Sequence, residues 1–313
     1  MSGATRSLMV MPVHPAPPAD VTELVDAYRQ TLSSFCDVAD SLREQEWDLP
    51  TACPGWTARD HLAHVVHVED YLSGSEHPGA GWSGADDEPV RVGEPEHVRH
   101  SLGVWIEEGV RARRGQDPRA MVAELRGLVE VRAAGMYDPD LELDTPVRSV
   151  RGRQATFEDL TRRRIFDVWV HEQDLRDALD RPGSLDSPGA SEVVSQVLDA
   201  LPRIVLEKVR PEPGTVVILE CTGPVTARGG VRIGTDADGD PVAHELFTGQ
   251  TSDEDDVPSV DDESADRTTS IALSTHALGR RAAGRCPTDG TAYQVTGDEE
   301  LARTVLDALS LTP

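Results

Sequence analysis

The sequence predicts a mainly α protein in two parts: a four-helix bundle over residues 19–185, then a smaller α+β domain over 186–313. Three observations carry this. Apolar residues recur at helical spacing through the first 185 positions. The stretch Arg181-Pro-Gly-Ser-Leu-Asp-Ser-Pro-Gly189 has the composition of a linker. Beyond it, β-branched runs alternate with helical ones, and 313 residues are enough for two domains.

The elements follow in order. Residues 1–18 read as a flexible tail. Leu24, Tyr28, Leu32, Phe35, Ala39 and Leu42 step by three and four, an amphipathic helix opened by Asp20 or Thr22. Pro50 and Pro54-Gly55 break the chain, and Thr57 with Asp60 three residues on opens a second helix to about Leu72. The Gly-, Pro- and acid-rich stretch from Ser73 to Pro95 is long enough for a functional lid. A third helical region runs from about Glu96 to Ala134, interrupted near Gly115-Pro118. Thr156-Phe-Glu-Asp159 caps a last bundle helix that ends near Asp180. In the second part, helices are expected at about Ser191–Val209, Ala277–Ala283 and Asp298–Leu309. Strands are expected at Thr215–Cys221, near Val231 and Val242, at Ile271–Leu273 and at Tyr293–Gly297.

Charge and cysteine usage limit the function classes. Fifty-six acidic against thirty basic residues give a net charge of −26, which argues against a nucleic-acid or anionic-membrane partner. Twelve Asp or Glu and no Lys or Arg lie between Ile233 and Asp266. The stretch at about 251–266 reads as a solvated acidic loop. Asp236-Ala-Asp-Gly-Asp240 lacks the downstream glutamate of an EF-hand, so no calcium site is expected. No apolar run is long enough for a membrane helix, and Met1–Val13 lacks a cleavage pattern, so the expectation is a soluble, cytoplasmic protein. Cys36, Cys53, Cys221 and Cys286 have neither zinc-ribbon nor disulfide-framework spacing. Cys36, inside the first helix, Cys221, inside a strand, and Cys53 read as packing residues, so a cofactor thiol would have to come from outside the chain. Only Cys53, at the start of the second helix, sits where a helix dipole favours a thiolate.

Two helices carry residues with chemistry. In the second, His61 and His64 share the face of Val65, Val68 and Leu72, while His67 lies at its polar edge. In the last bundle helix Asp167, His171 and Asp174 form one stripe at i, i+4 and i+7. An inward carboxylate is expensive unless something positive meets it. Asp167, His171 and one histidine of the second helix would form a two-histidine, one-carboxylate set that leaves coordination positions open. Asp174 is then placed to orient a ligand histidine. The competing reading is a buried Asp–His pair, or Asp167 paired with Arg163 or Arg164.

Cys53-Pro-Gly-Trp-Thr-Ala-Arg-Asp-His-Leu-Ala-His64 and Arg164-Ile-Phe-Asp-Val-Trp-Val-His171-Glu-Gln-Asp-Leu-Arg176 together resemble the mycothiol-dependent maleylpyruvate isomerase family, part of the DinB-like group of metal-binding four-helix bundles. The resemblance covers about residues 20–185. It implies that the metal ligands are His64 rather than His61, Asp167 and His171. Several relatives have Glu where this chain has Asp167, and the shorter arm bears on denticity and metal preference. Leu278-Gly-Arg-Arg-Ala-Ala-Gly-Arg285 and Val295-Thr-Gly-Asp298-Glu-Glu-Leu-Ala302 are similar to the family's sterol-carrier-like C-terminal module. By guanidinium chemistry, Arg280, Arg281 and Arg285 are candidates to bind substrate or thiol carboxylates, with ordinary surface charge as the competing reading.

The resemblance implies a divalent metal, zinc first with nickel or iron as alternatives, and mycothiol or a similar low-molecular-weight thiol. The implied reaction is isomerisation or thiol S-transfer on a small electrophilic metabolite. The competing classes are a non-catalytic, metal-stabilised small-molecule binding or sensing protein, and an interaction domain without metal. Substrate and oligomeric state are not legible in the sequence.

Overall fold

The computed structural model describes residues 13–76, 98, 100–150, 154–247 and 267–311. The tail before Val13, the expected lid beyond Glu76 and the acidic stretch at 251–266 lie outside the described residues. The chain divides into two compact units, one over Pro18–Glu192 and one that joins Val193–Pro313 to the residues before Pro18. The division falls inside a helix, seven residues beyond the boundary expected from composition. Among the described residues no helix is long and apolar enough to cross a membrane.

The first unit contains α1 (Val21–Asp40), α2 (Ala58–Leu72), α3 (Ser101–Arg113), α4 (Pro118–Met136) and α5 (Phe157–Leu179). Helices α1, α4, α2 and α5 pack in a closed ring of neighbours, a four-helix bundle, and α3 lies against α2. The interrupted third helix is thus two helices. Asp117 accepts a hydrogen bond from Arg119 N, and Pro118 at the first helical position needs no donor of its own, so the chain restarts there. The other starts have similar causes. Asp20 accepts from Glu23 N at 2.9 Å, Thr57 N donates to Asp60 at 3.0 Å, and Thr156 accepts from Asp159 N at 3.0 Å. The core is Leu24, Tyr28, Leu32 and Phe35 of α1, Leu62, Val65 and Val66 of α2, Met121 and Leu125 of α4, and Ile165, Val168 and Leu175 of α5. The pair β2 (Pro146–Arg148) and β3 (Gln154–Thr156) precedes α5 and has no counterpart in the apolar pattern.

Two glycines in this unit test close packing. At Gly109 in α3 a Cβ would lie 2.2 Å from the His67 ring, whereas at Gly127 in α4 nothing lies within 4 Å. Helix propensity favours alanine by about 1 kcal/mol at both sites. Overpacking at Gly109 opposes this with roughly 1–3 kcal/mol. Gly127→Ala should therefore raise the melting temperature of the unit by roughly 2–4 °C, and Gly109→Ala should lower it. Equal shifts in the two melts would show that His67 yields without cost.

The second unit has α6 (Pro188–Ile204) running into it, followed by a π-helical turn over Val205–Val209. Its strands are β1 (Val13–His14), β4 (Val216–Thr222), β5 (Thr226–Thr235), β6 (Pro241–Leu246), β7 (Thr268–Leu273) and β8 (Tyr293–Thr296). They form a sheet of order β1-β5-β4-β7-β8, and β6 also pairs with β5. All pairs are antiparallel except β4 with β7. The first strand, β1 (Val13–His14), pairs with Ala227 and Thr226, so these two residues are part of the sheet rather than of a free tail. Helices α7 (Thr275–Ala282) and α8 (Glu299–Ala308) complete the unit.

Candidate metal centre

Helices α2 and α5 are neighbours in the bundle, and between them lie three histidines and two aspartates. His64 Nε2 is 3.1 Å from Asp167 Oδ2, and His171 Nε2 is 3.6 Å from Asp167 Oδ1. One donor atom from each of His64, Asp167 and His171 lies within 4.8 Å of the others. In a tetrahedral site with bonds near 2.0–2.1 Å, neighbouring ligand atoms are about 3.3 Å apart. The separations bracket that value, and the set of two imidazoles and one carboxylate suits zinc, nickel or iron(II), so these residues fit a divalent transition metal. His64 and His171 are buried while the Asp167 side chain keeps 33% of its exposure, which leaves one side of the group open to small molecules.

His61, which shares the inward face of α2 with His64, points elsewhere. Its Nδ1 is 2.8 Å from His171 Nδ1, and its Nε2 is 2.7 Å from Thr51 Oγ1. Asp174 Oδ2 approaches His171 Nδ1 at 3.4 Å, so the side of the ring away from Asp167 is held by Asp174 and His61. His67 is turned toward α3 and packs on Trp105 at 4.5 Å.

Trp56 covers the cluster, its ring 5.3 to 5.8 Å from those of His61, His64 and His171. Its indole N–H donates to the buried Glu107 at 3.0 Å. Gly55 makes this placement possible: at φ +78° the backbone is left-handed, and Trp56 N closes a turn onto Cys53 O. His64 Nδ1 has no hydrogen-bond partner, so the His64 ring is held by Trp56, His171 and Asp167.

The electrostatics separate the two histidines of the group. Burial pushes His64 down to about 4 against the opposing pull of Asp167, so its ring is neutral at neutral pH. Burial also disfavours charge on His171, but Asp167, Asp174 and Cys53 outweigh it and hold the ring well above the usual histidine range. Asp167 is held well below the usual carboxylate range despite burial by His64, Arg164 and His171. Arg164 Nη1 donates to Asp167 Oδ2 at 2.6 Å. The ion pair anticipated for Asp167 is thus present, with Arg164, and it coexists with the histidine contacts. The same guanidinium donates to the fully buried Glu69, which also meets Arg132 and the Tyr28 hydroxyl.

Trp56, Thr51 and Glu69 were not legible as site residues. The Pro50-Thr-Ala-Cys-Pro-Gly-Trp56 turn hinted at a constrained loop, but nothing in the helical period shows an acid at position 69 to be buried. In the second unit, buried Arg281 donates to the carbonyls of Cys286 and Asp307, and Arg285 donates to Ala283 O. These bonds give Arg281 a structural role.

Two imidazoles and a carboxylate thus converge between two helices of a four-helix bundle, a donor set that could hold a metal ion. Residues 28–176, which hold the whole group, match the family model described as the mycothiol maleylpyruvate isomerase N-terminal domain. The match ends before the second unit. Two solved structures, of the mycothiol-dependent maleylpyruvate isomerase and of a mutant of it, align with 90% of this chain and 94% of theirs at 16% identity, each with a TM-score of 0.49. No curated protein matches.

Proposed function

We propose that the protein is a metal- and thiol-dependent enzyme, an isomerase or S-transferase that uses mycothiol or a similar low-molecular-weight thiol on a small electrophilic metabolite. The observation that carries this reading is the convergence of His64, Asp167 and His171 inside a domain that matches the model of this family. These three residues would hold the cation, zinc first by donor chemistry. A bound cation supplies Lewis acidity that keeps a thiol ionised at neutral pH. Isomerase and S-transferase need the same thiolate, and differ in whether the carbon that accepts it later expels it.

The residues of the chain prepare that chemistry. Burial keeps the His64 ring neutral, so that ligation through Nε2 would need only a shift of its proton to Nδ1 and no net deprotonation. Arg164 fixes Oδ2 of Asp167 and leaves Oδ1 directed at His171. Asp174 and His61 set the His171 ring from its far nitrogen. Trp56 covers the histidine side of the group, while Asp167 keeps an exposed edge at which a ligand could approach. Cys36 is a poor internal nucleophile, because burial pushes its thiol up to about 12.

The test is thiol-dependent turnover against a panel of electrophiles; ligand binding without turnover would favour a sensing protein instead. A second expected result concerns register. The purified protein should hold about one divalent metal per chain, and, in a Cys53→Ser background that leaves this group alone to bind, His64→Ala should lose it far more severely than His61→Ala. The latter should cost no more than roughly 10- to 100-fold in affinity, the usual range for a residue that orients a ligand. Equal losses, or a larger one in His61→Ala, would reverse the assignment.

A further inference from the structure

Beside the first group lies a second set of metal-ligand side chains. Cys53 Sγ and one donor atom each of His61, His171 and Asp174 all lie within 4.8 Å of one another. Asp174 Oδ2 is 3.8 Å from Cys53 Sγ, 3.4 Å from His171 Nδ1 and 3.9 Å from His61 Nδ1. With metal–sulfur bonds near 2.3 Å and metal–nitrogen bonds near 2.0–2.1 Å, the edges of a tetrahedron are about 3.3–3.6 Å. Two of the separations, Asp174 to Cys53 and to His171, are within a few tenths of an ångström of that; His61 must close on Asp174 from 3.9 Å and open from His171 at 2.8 Å, each by about half an ångström.

The surroundings aim these donors inward. The Thr51 hydroxyl accepts from Cys53 N at 3.2 Å, lies 3.2 Å from Trp56 O as a donor, and contacts His61 Nε2 at 2.7 Å. A hydroxyl has one proton to give. With that proton on Trp56 O, His61 carries its own proton at Nε2 and directs the Nδ1 lone pair into the cluster. One loop residue thus orders both Cys53 and His61. Charge also balances: a dication, a thiolate and a carboxylate sum to zero, so two buried anionic donors need no further compensation.

We propose that Cys53, His61, Asp174 and Nδ1 of His171 form a second metal position, suited to a thiophilic divalent cation and alternative to the first. The two positions exclude each other because a neutral imidazole has one lone pair. When Nε2 of His171 serves the first group, Nδ1 carries the proton and donates toward Asp174 and His61. When Nδ1 serves the second group, the proton sits on Nε2 and faces Asp167. Binding there releases the Cys53 thiol proton to solvent. The inference goes beyond the proposed activity, and it stands or falls independently of any thiol turnover.

The experiment is cobalt(II) titration of the full-length His64→Ala/Asp167→Asn variant, which lacks the first group and keeps all four donors of the second. One cobalt per chain with a thiolate-to-metal charge-transfer band is expected. Adding Cys53→Ser should remove the band and weaken binding by roughly 10-fold or more, at least the cost of losing an orienting residue. Cobalt binding without the band, or no uptake by a variant that melts as a folded protein, would overturn the proposal. Should the double variant fail to fold, cadmium titration of the wild-type chain replaces it. A cadmium–thiolate absorption that Cys53→Ser removes supports the position, and its absence overturns it. Zinc uptake by the Cys53→Ser single variant reads the first group alone, so failure there counts against the proposed function and not against this inference.

Discussion

In a Cys53→Ser background, where only the first group can hold a metal, Asp167→Asn should leave the protein folded and nearly empty of metal, with affinity reduced by more than the roughly 100-fold upper range for residues that only orient a ligand. Asparagine is nearly isosteric and still accepts a hydrogen bond from Arg164, so the contact at 2.6 Å has a neutral substitute. What disappears is the negative charge placed between two imidazoles, and with it the balance for a dication. Arg164 keeps Glu69 as its second carboxylate, so no guanidinium is left uncompensated. Asp167 is also one-third exposed, which limits what its ion pair contributes to folding. The melting temperature without metal should therefore move by a few degrees at most, while metal stoichiometry and thiol-dependent turnover collapse together. If Asp167 were only the partner of Arg164, the pattern would invert: stability would change and metal content would not. Metal analysis beside melts with and without added zinc separates the two cases.

How much of this was legible in the sequence follows from the range of each interaction. The Asp167–His171–Asp174 stripe was visible because a helix fixes the directions of residues four and seven apart, and α5 has that geometry. The same rule placed both His61 and His64 inward and gave no means of choosing between them. Their difference depends on how α5 lies against α2, where His64 meets Asp167 and His61 meets the other nitrogen of His171. Gly115 and Pro118 marked a break, but whether it bends one helix or separates two depends on what α3 and α4 each pack against. Two-residue β1 carries no period, since its partners stand more than two hundred positions away. Cys53 read as packing because its neighbours His61, His171 and Asp174 come together only in the fold.

The second large effect is expected at Glu69, the acid whose burial was least visible. It is fully buried in α2 and receives Arg164 of α5 at 2.8 Å, Arg132 of α4 at 2.8 Å and the Tyr28 hydroxyl of α1. One carboxylate thus joins all four helices of the bundle. Removing one partner of a buried ion pair typically costs about 3–5 kcal/mol, because the remaining charge stays buried. For a unit of this size that corresponds to a drop of roughly 6–20 °C on Glu69→Ala. The pH dependence supplies a sharper test with the milder Glu69→Gln. Burial alone would raise the Glu69 carboxyl, but Arg164, Arg132 and Tyr28 outweigh it and hold it below its ordinary value of 4.5. A group depressed in the folded state contributes stability above its unfolded pKa and loses it as pH falls toward the folded value. Acidification also relieves repulsion in a chain of net charge −26, which acts in the opposite direction on wild type and variant alike. The informative quantity is therefore the gap between the two melting temperatures. It should be wide and constant near neutrality and should narrow below about pH 4.5 as the wild-type carboxyl takes up its proton. A gap that stays constant into acid, or one worth less than about 1 kcal/mol at pH 7, would mean that Glu69 is held by shape and hydrogen bonds rather than by charge.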